Sequence, residues 1–466
     1  MLGMAIRSGL TRRQWLATAG TSLAGASRKQ PNFLFIMADD LGYADLSCYG
    51  RRDYSTPHLD RLAREGMRFT NAYANACVCS PTRVALMTGR YQQRLPVGLE
   101  EPLATRPRLN LGLPPGHPTL ASVLRGAGYR TALVGKWHLG YLPDYSPEKS
   151  GYESFYGFRS GGVDYYTHRL GATAESAVDL WDGDRRLEQP GYLTDLLGNR
   201  AVAQLREFGR EKKPFLMNLH FSAPHWPWQT PEDGQADPAM KSLTNFEGGS
   251  EARYARMVGR MDEQVGRVLD VLRQTGLDRD TVVIFTSDNG GERYSDTWPY
   301  TGRKTELLEG GLRVPAIVRW PRKVKSGGVV RQPAMTMDWM PTFLAMAGVE
   351  GPRGYAADGI DLSPWLTGAA PVRERAFFWR HRYAAQRAMR EGKWKWLSIR
   401  GNTFLFDLEA DPQEKANRKT LERDREKRMA AEYARWEAGM LPENPQGFTH
   451  GLGAGEVADR YANPLP

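Results

Sequence analysis

Four short, near-continuously apolar runs constrain the fold of this 466-residue chain more than any other feature of its sequence. A strand that is buried on both faces of a parallel sheet has this composition, whereas a half-exposed strand alternates apolar and polar residues. Helical patterns lie between the runs, at 56–65, 119–127 and 254–274. The alternation predicts an α/β fold with a large mixed, mostly parallel sheet sandwiched by helices. The four apolar runs are 32–37, 130–134, 214–219 and 281–286.

Polar and charged side chains follow each of the four runs, at the point where the strand ends. The carboxyl ends of parallel strands lie at one edge of an open α/β sheet, and ligands bind in the crevice outside that edge. Chance can put one charged residue after one strand, but all four strands carry them. The sequence therefore predicts a single site formed by Asp39, Asp40, Lys136, His138, His225, Asp288 and Asn289.

Four residues of this predicted site, Asp39, Asp40, Asp288 and Asn289, offer only oxygen ligands. A hard divalent cation such as Ca²⁺ or Mg²⁺ prefers oxygen ligands, whereas zinc prefers His and Cys. Three carboxylates placed together also repel one another unless a cation lies between them. Either pair alone has a structural alternative, because Asp39 and Asp40 can cap a helix and Asp288-Asn289-Gly290 can form a turn.

The run from Cys79 to Arg90 places a cysteine at the start of a predicted helix, with Pro81 near the first turn and Arg83 on the next. The free amides and the dipole of a helix start favour negative charge, so an anion can be formed or held there. Cys79 by itself is compatible with a buried free thiol or with the thiolate nucleophile of a cysteine hydrolase.

The chain is basic, with a formal net charge of +10 and a pI near 9.4, which attracts anions in general. No zinc-finger, helix-turn-helix or RNP-like pattern supports a nucleic-acid partner, so a small anionic substrate is the better prediction. The sequence contains three cysteines, Cys48, Cys77 and Cys79, and implies no disulfide framework. No apolar run is long enough to predict a membrane span.

Residues 1–30 resemble a twin-arginine export signal. Arg12-Arg13 precedes a mild apolar stretch at 17–26, and the small residues 24–26 form a plausible cleavage site. This order predicts a periplasmic or secreted bacterial protein; the alternative is a disordered basic leader without function. Because twin-arginine systems export folded proteins, any modification of Cys79 would take place in the cytoplasm.

The sequence changes character after about residue 370. Residues 31–370 form the predicted main domain, and 371–466 are predicted to form a small antiparallel sheet and a helix, followed by a tail. The short strands are expected near 377–379, 384–389, 394–397 and 403–407, and a charged amphipathic helix is expected at 414–440.

Six segments resemble, in matching order, the motifs of the formylglycine-dependent sulfatases of the alkaline-phosphatase-like superfamily. The resemblance extends over about residues 31–410, and the motifs are most similar in style to those of the arylsulfatase and N-acetylgalactosamine-6-sulfatase branch. It implies that residues 31–370 are a catalytic domain. The segments are 35–42, 79–90, 135–140, 222–225, 286–290 and 302–315.

The resemblance implies that Cys79 is oxidised to formylglycine (3-oxoalanine) by a formylglycine-generating enzyme, and that its hydrate is the nucleophile. It further implies that a Ca²⁺, with Mg²⁺ as the alternative, is held by Asp39, Asp40, Asp288, Asn289 and the modified Cys79. A geminal diol can expel sulfate by returning to the aldehyde, whereas a simple alkoxide would leave a stable sulfate ester.

Roles for the basic residues are also implied by the resemblance. Arg83 would neutralise charge beside the hydrate, and Lys136 and Lys304 would bind the sulfate oxygens. His225 would protonate the leaving alcohol, and His138 would take the proton of the second hydroxyl, although the division of tasks between the two histidines stays open.

The resemblance therefore implies a sulfuric ester hydrolase that acts on a small sulfated substrate, an aryl or a saccharide sulfate. Loops 139–190 and 291–301 are expected to select that substrate. Three alternatives stay open: a phosphonate or phosphate ester hydrolase of the same superfamily, a catalytically silent sulfoglycan-binding protein, and a metal-independent cysteine hydrolase using Cys79.

Overall fold

The structure is a computed structural model that describes residues 30–104, 110–170, 176–234 and 248–443. The predicted export signal and the tail after residue 443 lie outside the described residues, Gln30 excepted. The strands are β1 Asn32–Asp39, β2 Met67–Phe69, β3 Ala72–Tyr73, β4 Arg130–Lys136, β5 Ser154–Phe158, β6 Trp181–Asp182, β7 Arg185–Arg186, β8 Phe215–Pro224, β9 Thr281–Ser287, β10 Ala316–Arg319, β11 Gly328–Val330, β12 Ala334–Met335, β13 Ala376–His381, β14 Gln386–Glu391, β15 Trp394–Ile399 and β16 Asn402–Asp407. The helices are α1 Pro57–Glu65, α2 Cys79–Thr88, α3 Leu120–Gly126, α4 Leu193–Glu211, α5 Glu251–Gln274, α6 Glu309–Leu312, α7 Trp339–Ala347, α8 Ser363–Leu366 and α9 Arg423–Ala438.

The four apolar runs form the adjacent central strands β9, β1, β8 and β4 of a ten-stranded sheet. These four strands are parallel to one another, and Phe35 of β1 pairs with Ile284 on one side and Asn218 on the other. On one side β10 is antiparallel to β9, and on the other β5 is parallel to β4 and β6 antiparallel to β5, so the sheet is mixed but mostly parallel, as predicted. The full order is β11-β2-β10-β9-β1-β8-β4-β5-β6-β7.

Helices cover both faces of the sheet because each central strand is apolar on both sides. Leu34 and Ile36 point into a core shared with α4 and α5, while Phe33 and Phe35 point into a core shared with α3 and α7. A strand buried in this way cannot alternate polar and apolar residues, which explains the continuous runs in the sequence.

Two segments differ from the sequence predictions. Region 139–190, expected as loops, contributes β5, which pairs in parallel with β4, and the short strands β6 and β7. The C-terminal helix begins at Arg423 rather than 414. Glu414 is buried and forms an ion pair with Lys395 at 2.8 Å, so this part of the segment packs against the sheet instead of continuing the helix.

The predicted small antiparallel sheet is confirmed as β13-β14-β15-β16. Its strand β13 packs on the main sheet domain through Phe377 and Trp379, whose rings lie 5.6 and 5.5 Å from the ring of Tyr73. The C-terminal sheet therefore shares an apolar core with β3 and α2.

The backbone conformation at position 135 in β4 requires a glycine, so we expect a substitution of Gly135 to destabilise the fold strongly. Its φ is +111°, and an added Cβ would lie 1.8 Å from the carbonyl oxygen of His220. We expect Gly135→Ala to cost about 2–5 kcal/mol, the sum of backbone strain and overpacking. The measurement is the apparent melting temperature of the purified variant.

The matched control for this prediction is Gly126→Ala. Gly126 ends helix α3, and an added Cβ would meet nothing within 4 Å. We expect this variant to melt at or slightly above the temperature of the unchanged protein. Equal melting temperatures for the two variants would contradict the prediction.

Candidate active site

Helix α2 places Cys79 at its first residue, and all ten residues of the helix are buried. The approach to the helix is held by side-chain and backbone hydrogen bonds: the amide of Ala76 donates to Thr82 Oγ1 at 3.0 Å, and the amide of Thr305 donates to the Cys77 carbonyl at 2.9 Å. These hydrogen bonds hold the segment before α2 in place, and with it the first turn of the helix that carries Cys79.

Burial raises the pKa of the Cys79 thiol to about 11, against the opposing effect of the nearby Lys136 and Lys304 ammonium groups. An unmodified Cys79 is therefore a protonated thiol at neutral pH. Because the thiolate is the reactive form of a cysteine nucleophile, this environment does not favour a cysteine hydrolase.

Three carboxylates, Asp39, Asp40 and Asp288, meet in front of Cys79; we call them the carboxylate cluster. Asp39 ends β1, Asp40 follows it with a φ of +65°, and Asp288 directly follows β9. The ligand atoms of Asp39, Cys79 and Asp288 all lie within 4.8 Å of one another. The predicted convergence of strand ends is thus present in the structure.

Each carboxylate of the cluster accepts a hydrogen bond from a different cation of the chain. Lys136 Nζ donates to Asp39 Oδ2 at 2.5 Å, and Lys304 Nζ donates to Asp40 Oδ2 at 2.8 Å. Arg83, from the second turn of α2, donates from Nη2 to Asp288 Oδ2 at 2.8 Å. All six side chains are almost completely buried, so their charges are poorly screened by water.

The donor set fits a hard divalent cation. Asp39 Oδ1 and Asn289 Oδ1 are buried and have no hydrogen-bond partner among the described residues. Burial and the nearby Asp288 raise the pKa of Asp39 well above its ordinary value, although Lys136 opposes the shift. A cation at these oxygens would satisfy both orphaned acceptors and relieve the repulsion between carboxylates.

The two predicted histidines lie at the same rim, and both are held as neutral rings. His225 Nδ1 donates to the Trp226 carbonyl at 2.5 Å, which directs Nε2 to 3.6 Å from Asp40 Oδ2. His138 Nε2 donates to the Leu103 carbonyl at 2.8 Å, and His138 Nδ1 has no hydrogen-bond partner among the described residues.

Burial lowers the pKa of His225 and of His138 well below the ordinary value of 6.5, and the lysine ammonium groups add to both shifts. A neutral imidazole that donates from one nitrogen has an acceptor at the other. His225 Nε2 and His138 Nδ1 are therefore the atoms that can receive a proton.

Sequence analysis missed His220, which supports Arg83. His220 Nδ1 lies 3.2 Å from Arg83 Nη1, and its Nε2 lies 3.1 Å from Asn218 Nδ2. Both residues interrupt the apolar run of β8, and that interruption was the available signal. His220 is thus an addition to the predicted site. The structure brings together every residue that the sequence predicted for the site: Asp39, Asp40, Cys79, Arg83, Lys136, His138, His225, Asp288, Asn289 and Lys304.

A second buried cluster connects the C-terminal sheet to the approach to α2. His381 at the end of β13 lies 3.1 Å from Glu101 Oε2 through its Nδ1. Burial alone would lower the pKa of His381, but Cys77 and Glu101 raise it to about 10. The sequence offered no signal for this pairing, because the three residues are distant along the chain.

The raised pKa of His381 predicts that the free energy of unfolding depends on pH. The folded-state pKa of about 10 exceeds the ordinary value of 6.5, so its contribution is complete below pH 6.5 and is lost as pH rises toward 10. The loss over this whole range is on the order of 5 kcal/mol, at about 1.4 kcal/mol per pKa unit. We expect the melting temperature to fall over this range and His381→Asn to flatten the fall; parallel profiles for the two proteins would contradict the prediction.

Comparison with known proteins gives one consistent family. A family model described as "Sulfatase" matches residues 31–349, and one described as "N-sulphoglucosamine sulphohydrolase, C-terminal" matches residues 303–433. The chain is 34% identical over 463 aligned positions to a steryl-sulfatase of Mus musculus, covering 80% of this chain and 71% of the relative. It is 32% identical to an N-acetylgalactosamine-6-sulfatase of Sus scrofa, covering 78% and 71%.

Solved structures agree with these matches. The crystal structure of Ps i-CgsB has a TM-score of 0.81 and 30% identity, covering 91% of this chain and 96% of that chain; Ps i-CgsB is also solved in complex with k-i-k-neocarrahexaose. A phosphonate monoester hydrolase of Agrobacterium radiobacter, at 22% identity and a TM-score of 0.63, shares the fold. The fold is alkaline-phosphatase-like, as the sequence resemblance implied.

Proposed function

The chain belongs to the sulfatase family and is a sulfuric ester hydrolase, and we propose that it cleaves sulfate monoesters of saccharides or aryl alcohols with a formylglycine formed from Cys79 and a bound Ca²⁺. The observation that carries this proposal is the placement of Cys79 beside Asp39 and Asp288 of the carboxylate cluster, with the three ligand atoms within 4.8 Å of one another. Neither a buried structural thiol nor a thiolate nucleophile requires two carboxylates at that distance.

Asp39, Asp40, Asp288, Asn289 and the modified residue 79 would hold the cation. When bound, Ca²⁺ lowers the pKa of an adjacent hydroxyl and polarises the sulfate group. A hydrated formylglycine supplies a geminal diol, which a plain serine or cysteine cannot supply.

The charge of the site supports an anionic substrate. The three carboxylates of the cluster face three cations of the chain, Arg83, Lys136 and Lys304. These six groups are formally neutral together, so a divalent cation would leave the site with two positive charges. A sulfate monoester carries one negative charge, and Lys136 and Lys304 would bind its oxygens throughout the transfer.

The histidines provide the proton transfers. His225 Nε2 is an acceptor in the resting protein, so it must first receive a proton, which the attacking hydroxyl provides, before it can donate that proton to the leaving alcohol. His138 Nδ1 is the acceptor for the proton of the remaining hydroxyl. Each transfer uses the ring nitrogen that is not engaged with a backbone carbonyl.

The test is sulfate release from an aryl sulfate, N-acetylgalactosamine 6-sulfate and a sulfated galactan oligosaccharide, with Ca²⁺ and protein produced with a formylglycine-generating enzyme. An aryl phosphate and a phosphodiester serve as the comparison, because the alkaline-phosphatase-like fold also carries phosphonate hydrolysis. We expect sulfate release in proportion to the fraction of Cys79 converted, as measured by peptide mass. Release of phosphate without sulfate would refute the proposal.

Export by the twin-arginine pathway is also a proposal, carried by Arg12-Arg13 and the small residues that follow. Among the described residues, no helix is long and apolar enough to cross a membrane. Replacing both arginines by lysine in a bacterial host should leave the protein in the cytoplasmic fraction; unchanged recovery from the periplasm would refute the signal.

A further inference from the structure

A cavity of about 160 Å³ lies beyond β4 on the side of β5, at the same carboxyl rim as the catalytic residues. Lys136 at the end of β4 pairs in register with Phe158, and Arg159 is the next residue. The amide of His138 donates to the Arg159 carbonyl at 3.2 Å. Arg159 therefore lies one strand away from the catalytic lysine and is bonded to the backbone of the catalytic histidine.

The segment after Arg159 continues along the two histidine rings. A Cβ added to Gly161 would lie 2.8 Å from His138 Cε1, and one added to Gly162 would lie 3.2 Å from His225 Cε1. A substrate group in the cavity and an ester at the catalytic centre would thus be bound by neighbouring parts of one segment.

Arg159 lines this cavity and is a buried cation with unused donors. Its side chain is 1% exposed, and Nη2 donates to the Gly183 carbonyl at 3.1 Å and to Asp184 at 2.8 Å. Its Nε and Nη1 have no hydrogen-bond partner among the described residues. The guanidinium carbon lies 4.2 Å from the ring centroid of Trp181, a contact that leaves those N–H donors unsatisfied.

The carboxylates around Arg159 do not compensate its burial. Burial lowers the pKa of Arg159 from its ordinary value, although Asp184, Glu148 and Asp179 all oppose the shift. The Asp179 carboxylate is already occupied, since it accepts from the amides of Arg159 and Ser160 and from the indole of Trp181. An additional anion would stabilise this guanidinium.

A second cation lies at the outer side of the same cavity. Arg186 of β7 is exposed, and its guanidinium carbon lies 4.8 Å from the Trp181 ring centroid. The cavity thus has a buried cation at its inner wall and an exposed cation at its outer wall, with one indole between them. Guanidinium groups are well suited to sulfate and carboxylate oxygens.

We propose that the cavity lined by Arg159, Trp181 and Arg186 is a second oxyanion subsite, which binds a further sulfate or carboxylate of a polyanionic saccharide while another sulfate ester is cleaved at residue 79. The assignment rests on the proposed function and names its substrate class: saccharides with at least two anionic groups. Aryl sulfates, which have one anionic group, cannot use the subsite.

The test measures binding and turnover separately. Binding of N-acetylgalactosamine 6-sulfate, its 4,6-disulfate, and an unsaturated chondroitin disaccharide 6-sulfate is titrated calorimetrically into Cys79→Ala protein with Ca²⁺. The second ligand adds a sulfate and the third adds a uronate carboxylate, so the comparison distinguishes the two kinds of anion. Turnover of the same ligands is measured with converted protein.

We expect at least one dianionic ligand to bind about tenfold more tightly than the monosulfate, and Arg186→Gln to remove that preference. Arg159→Gln should do the same if it folds; because Arg186 is exposed, its variant keeps the test valid if Arg159→Gln does not fold. Arg185→Gln is the matched control, since Arg185 is an exposed neighbour that does not line the cavity, and it should retain the preference.

The outcomes separate the two proposals. Equal affinity for all three ligands, or a preference for a dianionic ligand that Arg186→Gln leaves unchanged, refutes the subsite. Turnover of the monosulfate by converted protein would still support the sulfatase mechanism in that case. Failure of converted protein to release sulfate from any substrate refutes the proposed function instead.

Discussion

Protein with Cys79→Ala should release no measurable sulfate while keeping its fold. Removal of the nucleophile should lower turnover by about 10⁴-fold or more, because the remaining residues can bind and polarise the ester but cannot attack it. Cys79 is the first residue of α2, and its side chain faces the carboxylate cluster instead of packing into the apolar core of the protein. The measurement is sulfate release at saturating substrate, together with the melting temperature and Ca²⁺ affinity of the variant.

Two further variants make this result specific. Cys79→Ser retains one hydroxyl but cannot supply a geminal diol, so we expect it to be unable to turn over repeatedly. Cys48→Ala removes another free cysteine, which lines a different cavity with Asp60 and Arg68, and it should keep full activity. Activity in Cys79→Ala protein, or loss of its fold, would mean that residue 79 is not the nucleophile.

Removal of divalent cations with a chelator should abolish activity, and added Ca²⁺ should restore it. We expect a fall of at least about 10³-fold, because a bound metal supplies several kcal/mol of charge stabilisation. Melting temperature should fall at the same time, since an ion that binds only the folded protein stabilises it. Mg²⁺ is added in a parallel experiment, because the oxygen donors fit both ions.

Asn289→Ala tests the proposed ligand set without changing its charge. Asn289 Oδ1 is a buried acceptor with no partner among the described residues, while its Nδ2 donates to Asp40 Oδ1 at 2.8 Å. The variant should require more Ca²⁺ for half-maximal activity, whereas Asp53→Asn, at a half-exposed surface carboxylate, should not. Chelator-resistant activity would exclude the metal-dependent mechanism.

Continuous apolar runs identified β1, β4, β8 and β9 correctly because a strand buried on both faces has no other composition. The same reasoning overlooked β5, whose five residues include Gly157 and lie in a region rich in turn-forming residues. It also began the C-terminal helix too early, because the burial of Glu414 against Lys395 is a tertiary contact that helical periodicity cannot reveal.

The chemistry of the site was determined largely by the sequence alone. The residue types that follow each strand, and the rule that parallel strands end at one rim, are enough to predict that Asp39, Lys136, His225 and Asp288 lie together. The segments resembling sulfatase motifs then implied the nucleophile. Strand order was not needed, because every parallel strand directs its carboxyl end to the same edge.

Only the tertiary structure decided which charges pair, which ring nitrogens accept protons and what lies beside the site. The support of Arg83 by His220 and the His381–Glu101 contact join residues that are far apart along the chain, and the cavity at Arg159 is formed by the folding of residues 141–186. Such contacts depend on side-chain burial and on the order of strands in the sheet, and neither leaves a periodic signal in the sequence. The sequence therefore determined the catalytic class, whereas the contacts beside the site were decided by how the chain packs in three dimensions.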